Sequence, residues 1–347
     1  MPDLLTSVPW PPGLSIALFG VAGVLTVFAS IRLVTLGDTL ADRTGWGEAF
    51  FGAVFFGLAT SLSGIVMTAV TAVADQPQLG YGNAVGGIAA QTTAVAVADA
   101  FHRRVNLEHA AASLSNVLFG ALLIALLALA LLGSYAPEVT LAGLHPASFA
   151  MVAAYLGGLH LIRRSGASPL WQAVATTETL PDVPHDHGSL DRTSTTRLWV
   201  RFAAVGLLVS VGGWVIARAA ESLVVVTGLS AGFVGAILMG AVNALPETVT
   251  AVAAVRRGAP TLAIAAVLGG NGLDALNLVV GDIAYRGGSI YHAAGPEELF
   301  VTASALFMTA VLLGGLLVRQ ACGWGRLGFE GIVLLGSYAT MTAVLAV

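Results

Sequence analysis

The sequence predicts an all-α integral membrane protein of ten transmembrane helices, arranged as two inverted five-helix repeats. Three observations lead there: an apolar composition, ten apolar segments of spanning length, and a match of the chain to itself. Of 347 residues, 56% are hydrophobic and 10% charged, and the mean hydropathy is +0.86. A soluble domain carries about 25% charged residues. A chain this apolar cannot cover its surface with polar groups, so membrane lipid is its expected partner. The net charge of −4 gives no reason to expect nucleic acid. Cys322, the single cysteine, excludes an intramolecular disulfide and a cysteine metal cluster. Met1 to Ser15 has no basic region ahead of an apolar stretch, so no cleavable signal peptide is expected.

A spanning helix needs about 20 mostly apolar residues. Segments of that kind lie at 14–36, 48–74, 80–100, 113–133 and 146–162, then at 198–226, 231–255, 260–283, 299–318 and 328–346. The first five form one repeat over 14–163, the last five another over 198–347, and 164–197 connects them. The connector holds Pro181, Pro184, His185, Asp186 and His187 and reads as a solvated loop.

Arginine placement orients the bundle. All 15 basic residues are Arg, and with ten spans 13 of them fall on one side. The other side has only Arg218 and Arg286. By the positive-inside rule the Arg-rich loops and the connector are cytoplasmic. Both termini are then extracellular, in a multi-pass protein of the plasma membrane.

A shift of 183 positions aligns the chain with itself without a gap, with 15 identities over the 62 positions 38–99. Chance predicts roughly one position in ten. Leu40, Thr44, Gly45, Gly57, Pro77, Gly86, Gly87 and Asp99 recur as Leu223, Thr227, Gly228, Gly240, Pro260, Gly269, Gly270 and Asp282. Asp99 with Arg103, and Asp282 with Arg286, read as helix-end ion pairs. Five helices per half make the copies enter the membrane from opposite sides. Inverted repeats of this kind are a hallmark of secondary transporters, whose sites lie near the midplane where the repeats meet.

Ionisable residues at the bilayer centre cost about 2.5–3.5 kcal/mol on insertion scales and mark function by default. Glu247, midway along 231–255, and Asp274, midway along 260–283, are the two carboxylates so placed. Pro246 should kink its helix and free carbonyls near Asn243. Asn243 and Glu247 share one helix face, and Asn271 and Asp274 another. Gly269, Gly270 and Gly272 read as points of close helix approach, as do Gly86 and Gly87 in the first half. Asn277 reads as an interhelical hydrogen-bonding residue. Hard oxygens in such a cluster suit Ca²⁺ or Na⁺. His160, beside Arg163 and Arg164, reads as interfacial.

The second half, with Asn243-Ala244-Leu245-Pro246-Glu247 on one helix and Gly269-Gly270-Asn271 on the next, resembles the alpha repeat of the cation/calcium exchanger superfamily. The resemblance covers most of the chain. It implies an alpha repeat at 231–283 and a degenerate one at 48–100. It implies Glu247, Asp274, Asn271 and Asn243 as cation ligands, with Glu247 and Asp274 supplying the charge to any metal. The first repeat departs from the pattern: Thr60 matches Asn243, Ser63 matches Pro246, Gly64 matches Glu247, Ile88 matches Asn271 and Gln91 matches Asp274. Both acid positions are neutral there, and Thr60 and Gln91 would offer uncharged oxygens.

The expected function is a secondary active antiporter working by alternating access, exchanging Ca²⁺ for Na⁺ or H⁺. Inorganic cations are its substrates and no cofactor is expected. A Na⁺/H⁺ antiporter using the same carboxylates is the near alternative. A non-transporting membrane sensor or assembly subunit is the alternative of another class. No nucleophile–base pair within the helices suggests an enzyme.

Overall fold

The computed structural model describes residues 9–44, 57–102, 105–111, 113–167, 172–174, 176, 179, 194–323 and 327–347. Its helices are α1 (Pro12–Thr44), α2 (Gly57–Val73), α3 (Pro77–Asp99), the short α4 (Leu107–Ala110), α5 (Leu114–Tyr135) and α6 (Pro146–Ala167). The second half contributes α7 (Thr195–Thr227), α8 (Ala231–Arg256), α9 (Pro260–Ala275), α10 (Asn277–Ala284), the short α11 (Ile290–Ala293), α12 (Pro296–Val318) and α13 (Phe329–Leu345). The predicted segments coincide with helices, while residues 48–56 and most of the 164–197 connector lie outside the described residues. Among the described residues six helices are long and apolar enough to cross a membrane, and Thr60–Val73 and Phe329–Leu345 are shorter apolar helices.

The helix α3 is not among those six, and its environment explains why. Of its 23 residues, 20 are buried, packed between α2, α8, α9, α10, α12 and α13. A helix walled by protein on every side has no need of an apolar coat. It can carry Asn83, Gln91, Thr92 and Thr93, all buried. By contrast α7 turns much of its surface outward and is strongly apolar. It pairs along its length with α1, and a Cβ at Gly212 would overlap the Thr26 hydroxyl.

Local signals set the helix ends. Pro77 and Pro260, matched by the 183 shift, each occupy the first turn of their helices, where the missing N–H costs nothing. Gly228 ends α7 at φ +73°, a left-handed conformation that glycine adopts without strain.

Two helices are less regular than expected. Pro246 lies inside a continuous α-helical stretch, Gly240–Arg256, and the irregularity of α8 lies upstream, as a π-helical turn at Val234–Met239. The cause is tertiary. Cβ atoms at Gly86 and Gly240 would lie 2.2 Å from the Ala236 oxygen and 2.7 Å from the Gly86 carbonyl carbon. The backbones of α3 and α8 touch here, and the widened turn accommodates that approach. The predicted segment 260–283 is also interrupted, between Ala275 and Asn277, where Leu276 N–H turns back to the Leu273 carbonyl at 2.9 Å.

The loops after α3 and after α12 meet at one end of the bundle. Asn106 N–H donates to Ala321 O at 3.0 Å, and Arg319 reaches His109 O, Thr179 Oγ1 and Val174 O. At the other end, His145 and Ser148 meet Asp282. The expected Asp282–Arg286 pair is not formed: Asp282 is taken by Ile290 N–H, His145 N–H and the Ser148 hydroxyl. Arg218–Glu221 is the one ion pair among the described residues. Arg103 lies outside them, and Asp99 instead accepts from Leu107 N–H at 2.6 Å.

Candidate functional site

Glu247, Asp274, Asn243, Asn271, Thr60 and Gln91 all lie buried in one region, where α2, α3, α8 and the α9–α10 break converge. Asp274 is the hub. Its Oδ2 accepts from Gln91 Nε2 at 2.5 Å and Asn243 Nδ2 at 3.0 Å, and its Oδ1 from Asn277 Nδ2 at 3.2 Å. Ser61 also faces this carboxyl. The interruption at Leu276 shapes this arrangement, because it separates Asp274 from Asn277 by one loosened turn. Broken helices with ligands at the break are the usual construction of transporter sites.

Glu247 differs from Asp274. It is 2% exposed, and neither of its oxygens has a hydrogen-bond partner. Thr60 and Asp274 face it. Asn271 Nδ2 donates to Thr92 Oγ1 at 3.0 Å, while its own Oδ1 has no donor. Gln91 Oε1 is likewise without a donor. Four acceptor oxygens from three residues are thus buried and unmet. Buried acceptors without donors are costly, and a hard cation satisfies all of them at once. With two carboxylates and the rest amides and hydroxyls, the described residues hold no group of three or more His, Cys, Asp or Glu fit for a metal ion. Any ion held here depends on neutral oxygens as well as charge.

One first-repeat departure, Gly64, coincides with a steric constraint. Gly64 stands where the shift would place an acid to match Glu247. A Cβ there would lie 2.7 Å from Asn243 Oδ1 and 3.0 Å from Asn277 Nδ2. The two amides occupy the space that a side chain at 64 would need. Ser63 donates to Asn243 Oδ1 at 3.4 Å and completes that contact.

Among the expected glycines, Gly86 and Gly87 are at close contacts, the latter with a Cβ position 3.0 Å from Asn243 Nδ2. Gly270 packs against Gln91 Oε1 and the Glu247 side chain at ordinary distances. Gly269 meets nothing within 4 Å among the described residues, so the expected close packing is absent there. Asn277, read from sequence as a helix-to-helix residue, bonds within its own segment to Asp274. Its three-residue spacing from Asp274 was the available signal. His160 is exposed, unlike the buried site residues, and His185, Asp186 and His187 lie outside the described residues.

Comparisons with known proteins agree with this architecture. The family described as sodium/calcium exchanger protein matches residues 14–176 and 197–347. The solved structure of native YfkE is similar in fold, with a TM-score of 0.65, 16% identity, and coverage of 97% of this chain and 93% of that one. So is the sodium-calcium exchanger NCX_Mj soaked with 10 mM Na⁺ and 10 mM Sr²⁺, with a TM-score of 0.59, 16% identity, and coverage of 95% and 98%. The same exchanger soaked with 10 mM Na⁺ and zero Ca²⁺ gives a TM-score of 0.58 at 15% identity, with coverage of 96% and 99%. No curated protein matches the chain significantly.

Proposed function

The chain belongs to the sodium/calcium exchanger protein family, and on that premise we propose that it is a secondary active antiporter that carries Ca²⁺ against Na⁺ or H⁺ by alternating access. The observation that carries this reading is the set of unmet oxygens on Glu247, Asn271 and Gln91 beside Asp274. Glu247 and Asp274 supply the charge, while Asn243, Asn271, Thr60 and Gln91 supply or position neutral oxygens. The fold shared with the sodium-calcium exchanger NCX_Mj supports the reading, as does the break beside Asp274. We further propose ten spans in two inverted repeats, in the plasma membrane with both termini outside, from the arginine asymmetry.

A loaded site crossing low dielectric must be close to neutral. Two carboxylates balance one Ca²⁺, two Na⁺ or two protons. Gly64 leaves no third acid to support an additional Na⁺. The cycle is therefore electroneutral or weakly electrogenic, with protons competing for the unmet carboxylate. The test is flux through purified protein in liposomes, across gradients of Ca²⁺, Na⁺, Mg²⁺ and H⁺. Voltage is clamped by K⁺ and valinomycin after K⁺ itself is shown not to be transported. Ca²⁺ flux driven by a Na⁺ or H⁺ gradient with little voltage dependence is expected. Steep voltage dependence with no response to pH rejects the mechanism, and the absence of flux for every ion rejects the antiporter.

A further inference from the structure

A second group of buried carboxylates lies far from Asp274, at the end of the bundle where the loops after α3 and α12 meet. Asp99 closes α3, Glu108 sits in α4 and Glu330 stands in the first turn of α13, and each is 1% exposed. Glu108 faces Glu330 and Asp99. Neither oxygen of Glu108, nor of Glu330, has a hydrogen-bond partner.

Among the described residues no ion pair reaches them: His102 faces Asp99 alone, and Arg256 lies over the Phe101 ring, 4.6 Å from its centroid. His102 Nδ1 is held by Val105 O at 2.6 Å. His109 is turned to Arg319 O at 2.7 Å and Thr176 Oγ1 at 3.1 Å. The guanidinium of Arg319, at the end of α12, gives Nη1 and Nη2 donors to Val174 O, His109 O and Thr179 Oγ1, while its buried Nε has no partner. The helix α9 brings only Asp274, at its far end. Arg103, Arg104 and Arg326 lie outside the described residues.

The repeat supplies an internal control. A shift of 183 carries Asp99, Leu107 and Glu108 onto Asp282, Ile290 and Tyr291, and Ala147 onto Glu330. Leu107 N–H donates to Asp99 Oδ1 at 2.6 Å, and Ile290 N–H donates to Asp282 Oδ1 at 3.4 Å. The backbone device is the same at both ends. At the Asp282 end neutral groups close it: Ser148 donates to Asp282 at 2.7 Å, and Tyr291 OH shares a hydrogen bond with Ser148 at 3.0 Å. At the Asp99 end, carboxyls stand where the repeat has a phenol and a methyl group. These replacements remove donors and add acceptors.

We propose that Glu108 is a proton-binding site separate from the cation site, its carboxylic acid donating to the Glu330 carboxylate. One proton supplies the donor that this pair lacks and removes one of two facing charges. Burial pushes the Glu108 carboxyl well above its ordinary range, and Glu330 and Asp99 add to the effect. A metal ion fits less well, because the described residues form no metal-holding group of acids. Glu108 belongs to the first half of the chain and Glu330 to the second, so the proton latches the halves together at this end.

Infrared difference spectroscopy tests this on the full chain carrying Glu247→Gln and Asp274→Asn. With the cation site neutralised, the result stands apart from the exchange reading. The parent minus a further Glu108→Gln variant should show the carbonyl stretch of one protonated carboxyl at neutral pH, titrating away as pH rises. If Glu108→Gln does not fold, Glu330→Gln serves, and removal of the charged acceptor should shift that band and its titration. Identical spectra in parent and variant overturn the proposal. So does loss of the band on adding Ca²⁺ at fixed pH, which would make the occupant a metal ion.

Discussion

Gln91 and Asp274 are joined by a hydrogen bond of 2.5 Å, and they stand 183 positions apart, at the same place in the two halves of the chain. The bond therefore runs between a residue and its own repeat-mate. One half supplies the charge and the other the amide that holds it. On the proposed inverted-repeat arrangement such a contact sits where the repeats meet, the place where transporters of that kind keep their sites.

Glu247→Gln and Asp274→Asn should each abolish or strongly impair exchange while leaving a folded protein. Each swap keeps the size of the side chain and removes its charge. Liposome flux beside a size-exclusion profile gives the comparison, and wild-type flux in either variant strikes that residue from the ligand set.

Gln91→Ala should weaken cation binding without ending transport. It deletes one donor to Asp274 and one unmet oxygen. A hydrogen bond to a charged group contributes about 1.5–3 kcal/mol, so the apparent affinity should fall by roughly ten- to hundred-fold, as read from the concentration dependence of flux. Thr60→Ala should act in the same direction. An unchanged affinity in both variants would leave the first repeat outside the site.

Gly86→Ala should destabilise the fold, whereas Gly269→Ala, its match in the other repeat, should not. The Cβ of the first would lie 2.2 Å from the Ala236 oxygen, and that of the second meets nothing within 4 Å. Overpacking of this sort costs about 1–3 kcal/mol, while Ala in place of a mid-helix Gly gains up to about 1 kcal/mol. Thermal unfolding in detergent should separate the two in opposite directions. Equal shifts would contradict the backbone contact between α3 and α8.

Stability should fall as pH rises through the elevated pKa of Glu108. Its carboxyl is raised by burial, then by Glu330 and Asp99, from an ordinary value of 4.5. The contribution is therefore complete below that ordinary value and lost above the raised one. Melting curves across a pH series should show wild type losing its advantage over Glu108→Gln as pH increases. The opposite slope would contradict the assignment.

A cysteine introduced at Val174 should be reached by an impermeant thiol reagent only from inside, and one at Leu141 only from outside. Both sites are exposed. Cys322 is exposed as well, so the background is Cys322→Ser. Labelling of position 174 on intact cells would reverse the proposed topology.

Much of the helical layout could be read from apolar runs alone, because length and hydrophobicity are local properties. That Glu247, Asp274, Asn243 and Asn271 lie buried together could be read too, since charge is conspicuous in an apolar chain and each asparagine shares a helix face with one of the acids. What escaped depends on contacts between distant segments. The π-turn at Val234–Met239 comes from the meeting of α3 with α8 rather than from Pro246. The break at Leu276 has no proline to announce it. Glu108 and Glu330 are separated by most of the chain, and each alone resembles an ordinary loop or helix-end acid. Gly269 shows the reverse error: its match with Gly86 is real, but only one of the two is crowded.

The glycine at position 64 has a historical implication. An acid there would meet the amide ends of Asn243 and Asn277, so it could enter only if those two side chains turned aside or were themselves replaced. Either route disturbs the hydrogen bonds that both amides donate to Asp274. Substitutions in direct contact do not add independently. The asymmetry of charge between the halves is thus entrenched by epistasis, and relatives with an acid at this position should carry smaller or differently oriented residues where this chain has its two asparagines.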